Sequence, residues 1–369
     1  MKIAIDARVA THVSGVGVAT EHMIRHLLEI DQKNEYLIIG NDAVADPPPN
    51  CSSLRTPWRL TNHPAGDLWF HLRLPAILMK ENVDVFWGPG YLVPLGGSGF
   101  RRVVTFCDLS FHQAKSTFPL STRSYFRLMF RQTARKADRI IAISDFTKSE
   151  IGRCYGPKCL AKTRVIPLDC SDAFRAIGGR RLNANEKFGI VGPYILFVGN
   201  LEPRKNLAAL IEAFRQIKRA QAIPHQLVIV GQKAWMYRDV FRSIRTAGLE
   251  RDVVLTGYVD QADLPGLYAG ADVFVYPSLY EGFGIPILEA MAVGVPVIAS
   301  NRASIPEVAG DAAMLCDPED PVALGRAMLR VLESPALRED MRAKGTARVA
   351  QFSWRRSAQR LLQEIEARG

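Results

Sequence analysis

Along the chain, short apolar runs alternate with stretches whose apolar residues recur every three or four positions. Lys2 to Asp6 (KIAID) holds a short apolar run between two charged residues and predicts a strand. A loop rich in small residues, Thr11 to Gly17, follows it. Thr20 to Ile30 then places Met23, Ile24, Leu27 and Leu28 on one helical face. Glu35 to Gly40 (EYLIIG) predicts a second strand. Residues 43–66 include Pro47, Pro48 and Pro49 and predict loop, with room for one short strand. Asp67 to Glu81 predicts a helix interrupted near Pro75. Val83 to Trp87, Val103 to Phe106 and Ile140 to Ala142 are short apolar runs, each followed by a loop. Strands alternating with helices imply a parallel sheet covered on both faces.

Ile177 to Gly189 is polar, with a Gly-Gly and an Arg-Arg pair, and predicts a linker. A second alternating unit begins after it. Its strands are expected at Tyr194–Val198, Gln226–Val230, Val253–Thr256, Val273–Tyr276 and Pro296–Ala299. Its helices are expected at Leu207–Ala220, Tyr237–Ala247, Asp263–Ala269, Ile285–Ala292, Val322–Glu333 and Pro335–Ala350. The fold class is therefore α/β, with two doubly wound, Rossmann-like domains. The expected domains are 1–176 and 190–352, with 353–369 a helix returning to the first domain. A length of 369 residues suits two such domains. In sheets of this kind ligands sit beyond the carboxyl ends of the strands, which here means a cleft between the halves.

Composition removes several classes. The chain is 48% hydrophobic and 23% charged, which excludes a disordered chain or a small disulfide scaffold. MKIAIDARVA has neither the apolar core nor the cleavage site of a signal peptide. No run of about 18 apolar residues is present to span a membrane. The cysteines at 51, 107, 154, 159, 170 and 316 include no C-x2-C pair, so zinc ligation and a disulfide framework are not expected and a reducing cytoplasm fits better. The net charge of +10 lies almost wholly in the first half, where residues 1–185 carry 25 Lys and Arg against 16 Asp and Glu. That asymmetry points to an anionic partner or to a solubilising surface. No nucleic-acid motif accompanies it, so no nucleic-acid partner is expected.

Three clusters carry candidate chemistry. Glu281-Gly282-Phe283-Gly284-Ile285-Pro286-Ile287-Leu288-Glu289 follows an apolar strand and opens a helix. The glycines allow close backbone approach, and the helix start offers free N–H groups to a diphosphate. Glu281 and Glu289 flank that seat and suit hydroxyl binding. Gly199-Asn200-Leu201-Glu202-Pro203-Arg204-Lys205-Asn206 follows the first strand of the second half, where Arg204 and Lys205 can reach a diphosphate. Ser14-Gly15-Val16-Gly17 follows the first strand of the chain. It lacks the G-x-G-x-x-G spacing of a dinucleotide site, which weakens a hydride-transfer reading.

These motifs, in this order, resemble the retaining glycosyltransferases of family 4, with GT-B architecture. The Glu-x7-Glu element is Glu281 and Glu289. Further matches are ARKADRIIAIS (134–144), FVGNLEPRKNLAALIEAF (197–214), VVLTGYVDQADLPGLYAGADVFVYPS (253–278), ASIPEVAGDAA (303–313) and FSW (352–354). The likeness is greatest to bacterial mannosyltransferases of polysaccharide assembly. It implies transfer of a hexose, foremost mannose from GDP-mannose, to a glycan or polyprenyl-linked acceptor. A UDP-sugar donor and a non-catalytic sugar-nucleotide-binding scaffold are the alternatives. It also implies that Arg204 and Lys205 hold the donor diphosphate, that Glu289 holds the ribose hydroxyls, and that Glu281 contacts the transferred sugar. The backbone of Gly282, Phe283, Gly284 and Ile285 would line the donor seat, with Gly15 and Gly17 approaching the diphosphate from the first domain. Glu281, Asp108 and Lys205 are the implied catalytic residues. No metal or other cofactor is implied.

Three positions depart from the family pattern. Cys107-Asp108 stands where relatives carry His-Asp, and a thiol is a weaker donor than an imidazole. His112 lies five residues further on. Leu168-Asp169 replaces Asn-Gly, and Asn200 stands where many relatives carry Arg.

From Ser121 to Arg139, Arg123, Arg127, Arg131 and Arg135 recur every four residues. On a helix they form one cationic stripe, flanked by Tyr125, Phe126, Leu128, Met129 and Phe130. Such a helix suits the surface of an anionic membrane, which implies a peripheral location on the inner leaflet.

Overall fold

The computed structural model describes residues 1–10, 14–41, 47–56, 66, 68–112, 120–179, 186–220, 223–234 and 236–367. The chain divides into two compact units, Met1–Leu168 with Ser353–Gly369, and Asp169–Phe352. The first boundary thus falls eight residues before the expected 176, and the segment 169–176 belongs to the second unit. Asp169 is buried there and paired with Arg175, whose guanidinium also reaches the carbonyls of Val349 and Phe352. The linker expected at 177–189 lies within the second unit, with residues 180–185 outside the described residues.

The first unit holds a seven-stranded parallel sheet. Its strands are β1 (Lys2–Asp6), β2 (Glu35–Ile39), β3 (Cys51–Leu54), β4 (Val85–Gly88), β5 (Arg101–Phe106), β6 (Arg139–Ala142) and β7 (Thr163–Val165). The order is β3-β2-β1-β4-β5-β6-β7. The central strands are buried on both faces, which is why they read as continuous apolar runs. Phe70, Leu74 and Leu78 from one helix, with Phe106, Phe111 and Phe130, pack one face of the sheet.

Local chemistry places the helices. The first helix runs Gly15–Ile30, not from Thr20, because Ser14 caps it by accepting from the N–H of Gly17 at 3.2 Å. Gly15 and Gly17 therefore belong to its first turn and not to a loop; residues 11–13 of the expected loop lie outside the described residues. The helical run changes near Pro75, as expected: a wide, π-type stretch over Trp69–Arg73 gives way to the α-helix Leu74–Lys80, in whose first turn Pro75, lacking an N–H, stands. The C-terminal helix Trp354–Glu366 is held in the first unit: Trp354 stacks on His22, and Ser357 donates to the carbonyl of Pro167.

The second unit holds β8 (Tyr194–Val198), β9 (Gln226–Val230), β10 (Val253–Gly257), β11 (Val273–Tyr276), β12 (Val297–Ser300) and β13 (Ala313–Cys316), all parallel. Their order is β10-β9-β8-β11-β12-β13. The chain winds outward from β8 through β9 to β10, then crosses to β11 and winds the other way. The β8–β11 pair is thus the topological switch point, and the crevice for a ligand opens beyond its carboxyl ends. The helix Leu207–Ala220 covers this sheet with Leu210, Ile211, Phe214 and Ile217, the spacing of one helical face.

Candidate active site

The two loops leaving the switch point are two of the three motifs that the sequence singles out. After β8 the chain passes Gly199 and makes a short turn, Pro203–Lys205, ending at Asn206 in the left-handed conformation. After β11 it runs from Pro277 to Glu281. The loops are stitched together: Leu279 N–H donates to the Arg204 carbonyl at 2.9 Å, and the Asn206 amide donates to the carbonyls of Pro277 and Pro318.

This stitching brings Arg204, Lys205 and Glu281 into one cluster. Lys205 Nζ donates to Glu281 Oε1 at 2.7 Å and to the Tyr276 hydroxyl at 2.7 Å. Tyr276 donates in turn to Glu281 Oε1 at 3.0 Å. Arg204 donates to Glu281 Oε2 at 2.8 Å, to the Tyr280 carbonyl at 2.7 Å and to Glu202 Oε1 at 2.6 Å. Lys205 and Glu281 are only 8% and 7% exposed. Burial alone would raise the Glu281 carboxyl, but Arg204 and Lys205 overcome it and hold it down at about 2. Burial works on Lys205 in the opposite sense, pulling its ammonium below the usual value against the attraction of Glu281. An ionised Glu281 is a strong acceptor and a poor base. Lys205 spends two of its three N–H donors inside the cluster, which leaves the third for a ligand oxygen.

Beyond Glu281 the chain turns through Gly282, Phe283 and Gly284 into the helix Ile285–Ala292. Gly284 has a φ of 112°, a conformation that suits glycine. No side chain caps this helix, and Pro286 lies in its first turn, so its N-terminus is open to an anion. Ser304 pins the turn from behind, donating to the carbonyls of Glu281 and Phe283 at 2.8 and 3.0 Å. The Phe283 ring is buried edge-on against Phe352, so any ligand contact from this residue is through its backbone.

Glu289 stands apart from the ion cluster. Its Oε2 accepts from the Tyr268 hydroxyl at 2.7 Å. Burial raises its carboxyl to about 7, and the Tyr268 hydrogen bond works against that rise.

The remaining expected residues belong to the first unit. Gly15 has open space where a Cβ would lie. Asp108 is half-buried and makes a local turn, accepting from the Ser110 N–H and hydroxyl at 3.0 and 2.9 Å. Burial pushes the Cys107 thiol up to about 12, so it stays protonated. His112 bonds the Tyr155 hydroxyl at 3.2 Å and is driven down to about 4 by burial and by Arg127 and Arg153, which leaves it neutral.

The arginine stripe is divided. Arg123 and Arg127 turn back onto the short turn Ser110–His112 and donate to the carbonyls of Phe111 and His112. Arg131 and Arg135 are exposed, together with Tyr125 and Leu128. No helix among the described residues is long and apolar enough to cross a membrane.

Sequence reasoning missed Tyr276, Glu202, Ser304 and Tyr268. Tyr276 ends an apolar strand and reads as core, yet a phenol at the carboxyl end of a buried parallel strand needs a partner, and that was the available signal.

Comparison with known proteins agrees with this geometry. Residues 13–168 match Glycosyltransferase Family 4, and residues 183–348 match Glycosyl transferases group 1. The chain is 34% identical over 289 residues to O-antigen chain mannosyltransferase B of Escherichia coli, covering 77% of this chain and 74% of that one. Sucrose-phosphate synthase from Thermosynechococcus elongatus shares the fold, with a TM-score of 0.77 at 21% identity over 98% of both chains. HepE from Anabaena, solved in complex with UDP and glucose, gives 0.73 at 17% identity over 100% of this chain and 99% of that one. Two Rossmann-like domains, with an ion cluster at the second switch point, define a glycosyltransferase of the GT-B fold. The chain belongs to glycosyltransferase family 4.

Proposed function

We propose that the chain transfers an α-mannosyl unit from GDP-mannose, with retention at the anomeric carbon, to a glycan or lipid-linked acceptor in polysaccharide assembly. The observation that carries the donor site is the buried Lys205–Glu281–Arg204 cluster at the carboxyl ends of β8 and β11. Mannose is favoured by the O-antigen mannosyltransferase relative. In this reading the acceptor oxygen attacks the anomeric carbon as its bond to the diphosphate breaks. The bonding pair leaves with the diphosphate, one of whose oxygens takes the acceptor proton. Lys205, Arg204 and the open helix start at Ile285 stabilise the charge that develops there, so the reading requires no metal. Glu281, already ionised, accepts hydrogen bonds from hydroxyls of the transferred sugar, and Glu289 accepts from the ribose. Gly15, Gly17 and Asp108 complete the proposed set from the first unit.

A UDP-sugar donor is the second reading, favoured by the UDP held by HepE. Calorimetry with GDP, UDP and ADP, followed by turnover of the matching sugar nucleotides, separates the two. Tight GDP binding with turnover of GDP-mannose is expected; a preference for UDP replaces the donor and leaves the cluster's role intact.

The exposed face of the helix Leu120–Lys136 is proposed to rest on the inner leaflet of an anionic membrane. Arg131 and Arg135 would face lipid phosphates, beside Tyr125 and Leu128, the last 57% exposed. Arg131→Ala with Arg135→Ala is expected to abolish binding to vesicles containing phosphatidylglycerol while leaving nucleotide affinity unchanged. Undiminished vesicle binding would refute the contact. Arg127 is unsuited to this test because it fastens the His112 carbonyl.

A further inference from the structure

Tyr268 comes from the helix Leu264–Gly270, on the chain segment leading into β11, and its side chain is fully buried. Phe174 meets its ring edge-on at a centroid distance of 5.4 Å, and Phe274 packs at 5.2 Å. The ring is therefore held on two sides by aromatic neighbours, and its hydroxyl is committed to Glu289 Oε2. Among the described residues, Glu289 receives no other side-chain hydrogen bond and no ion pair. This differs sharply from Glu281, whose carboxylate is tied by three donors. A carboxylate on a flexible stem with a single anchor owes its orientation to that anchor.

We infer that Tyr268 is a positioning residue for the sugar nucleotide: its hydroxyl holds one oxygen of Glu289 and leaves the other to accept from the ribose hydroxyls. The inference rests on the reading of Glu289 as the ribose-binding carboxylate. A diol donates its strongest hydrogen bonds to an ionised carboxylate, so it binds that form in preference to the protonated one. The Tyr268 hydroxyl favours that ionised form by donating to it. The titratable groups acting around Glu289 are Tyr268 itself and Cys170, beside the turn Asp172–Arg175, and burial keeps both neutral at pH 7. The other helices packed against Ile285–Ala292, at Ile305–Ala309 and Pro335–Val349, contribute no group that shifts Glu289. Affinity for a nucleotide with an intact ribose should therefore rise with pH through about 7.

The test measures GDP affinity of the full chain by calorimetry between pH 5.5 and 8.5, with UDP substituted if the nucleotide panel selects it. The 2′,3′-dideoxy analogue serves as the control ligand. Tyr268→Phe is expected to weaken the intact nucleotide about threefold to tenfold at pH 7, the loss of one hydrogen bond. It should also move the midpoint of the pH dependence upward and leave the dideoxy analogue unaffected. Glu289→Gln should weaken the intact nucleotide and flatten the pH dependence. Wild-type binding by Glu289→Gln would instead overturn the ribose reading. Weakened binding by Glu289→Gln alongside an unchanged midpoint and affinity in Tyr268→Phe would overturn the role of Tyr268 alone. Equal losses by Tyr268→Phe for the intact and dideoxy nucleotides would mark a merely structural role and overturn it too. Should Tyr268→Phe fail to fold, 3-fluorotyrosine placed at 268 keeps the hydroxyl and makes it a stronger donor. The midpoint is then expected to move downward, and a stationary midpoint counts against the inference.

Discussion

Glu281→Ala is expected to lose turnover and stability together. In the intact protein the Glu281 carboxylate accepts from Arg204, Lys205 and Tyr276 at 2.7 to 3.0 Å. Alanine removes all three bonds at once. Lys205, only 8% exposed, is left with the Tyr276 hydroxyl and, as counter-charge, only the more distant Glu202, which Arg204 already engages. Breaking a buried pair in this way costs about 3–5 kcal/mol, because the remaining buried charge loses its direct ion-pair partner. Loss of the carboxylate also removes an attraction that favours the Lys205 ammonium, which weakens the cation proposed to face the departing diphosphate. Turnover should drop by about 100-fold to 1,000-fold, the scale for losing one preorganised electrostatic contact. Nucleotide affinity should fall less. Glu281→Gln separates the two effects, since the amide oxygen still accepts from Lys205 while the charge is gone. We expect it to melt closer to the parent protein and yet turn over slowly. Parental kcat in Glu281→Gln would remove the assigned role. The pH profile gives a further check. The Glu281 carboxyl titrates at about 2, so its ion pairs are complete above the ordinary carboxylate range and are lost only as pH falls through that value. Any change of rate between pH 5 and 8 must come from another group.

The parts of this molecule legible in the sequence are those written in local patterns. The runs YILFV and VFVY are central parallel strands buried on both faces, so an unbroken apolar run located them to within a residue. The motif at 281–289 predicted a strand, a glycine turn and a helix start in that order, and each is present. The start of the first helix was misplaced because Gly15 and Gly17 lack side chains to show periodicity, and the signal was instead the cap at Ser14. The arginine stripe kept its helical spacing but lost its continuity, since spacing says nothing about which carbonyls lie nearby. Arg123 and Arg127 found those of Phe111 and His112. Likewise, no periodicity announces that Tyr276 will bridge Lys205 and Glu281, or that Glu202 will share Arg204. The contacts of Arg204 and Lys205 with Tyr276 and Glu281 span 71 to 77 positions and exist because β8 and β11 become neighbours in the sheet, whereas Glu202 lies only two positions from Arg204.

The closeness of strand ends also sets the second large effect. Gly231 follows β9 with a φ of 154°, and a Cβ built there would lie 2.0 Å from the carbonyl oxygen of Gly199. That separation is well inside van der Waals contact, and the obstacle is backbone, which cannot rotate away. Gly231→Ala must therefore displace the loop after β8. The loop is bound on both sides of the contact: Gly199 N–H donates to the Val230 carbonyl and Leu201 N–H to that of Gln232, both at 2.9 Å. The same loop carries Arg204 and Lys205. Backbone strain at a positive φ adds roughly 1–2 kcal/mol to an overpacking cost of roughly 1–3 kcal/mol. At about 2–4 °C per kcal/mol for a unit of this size, the second unit should melt roughly 4–20 °C lower. Gly257→Ala supplies the reference, because its φ of 72° imposes backbone strain while its Cβ would meet nothing within 4 Å. Differential scanning calorimetry on both variants isolates the steric part. Equal melting temperatures would mean that the ends of β8 and β9 do not approach as described. A large excess loss in Gly231→Ala, with weakened nucleotide binding, ties the cation loop to the strand contact that holds it.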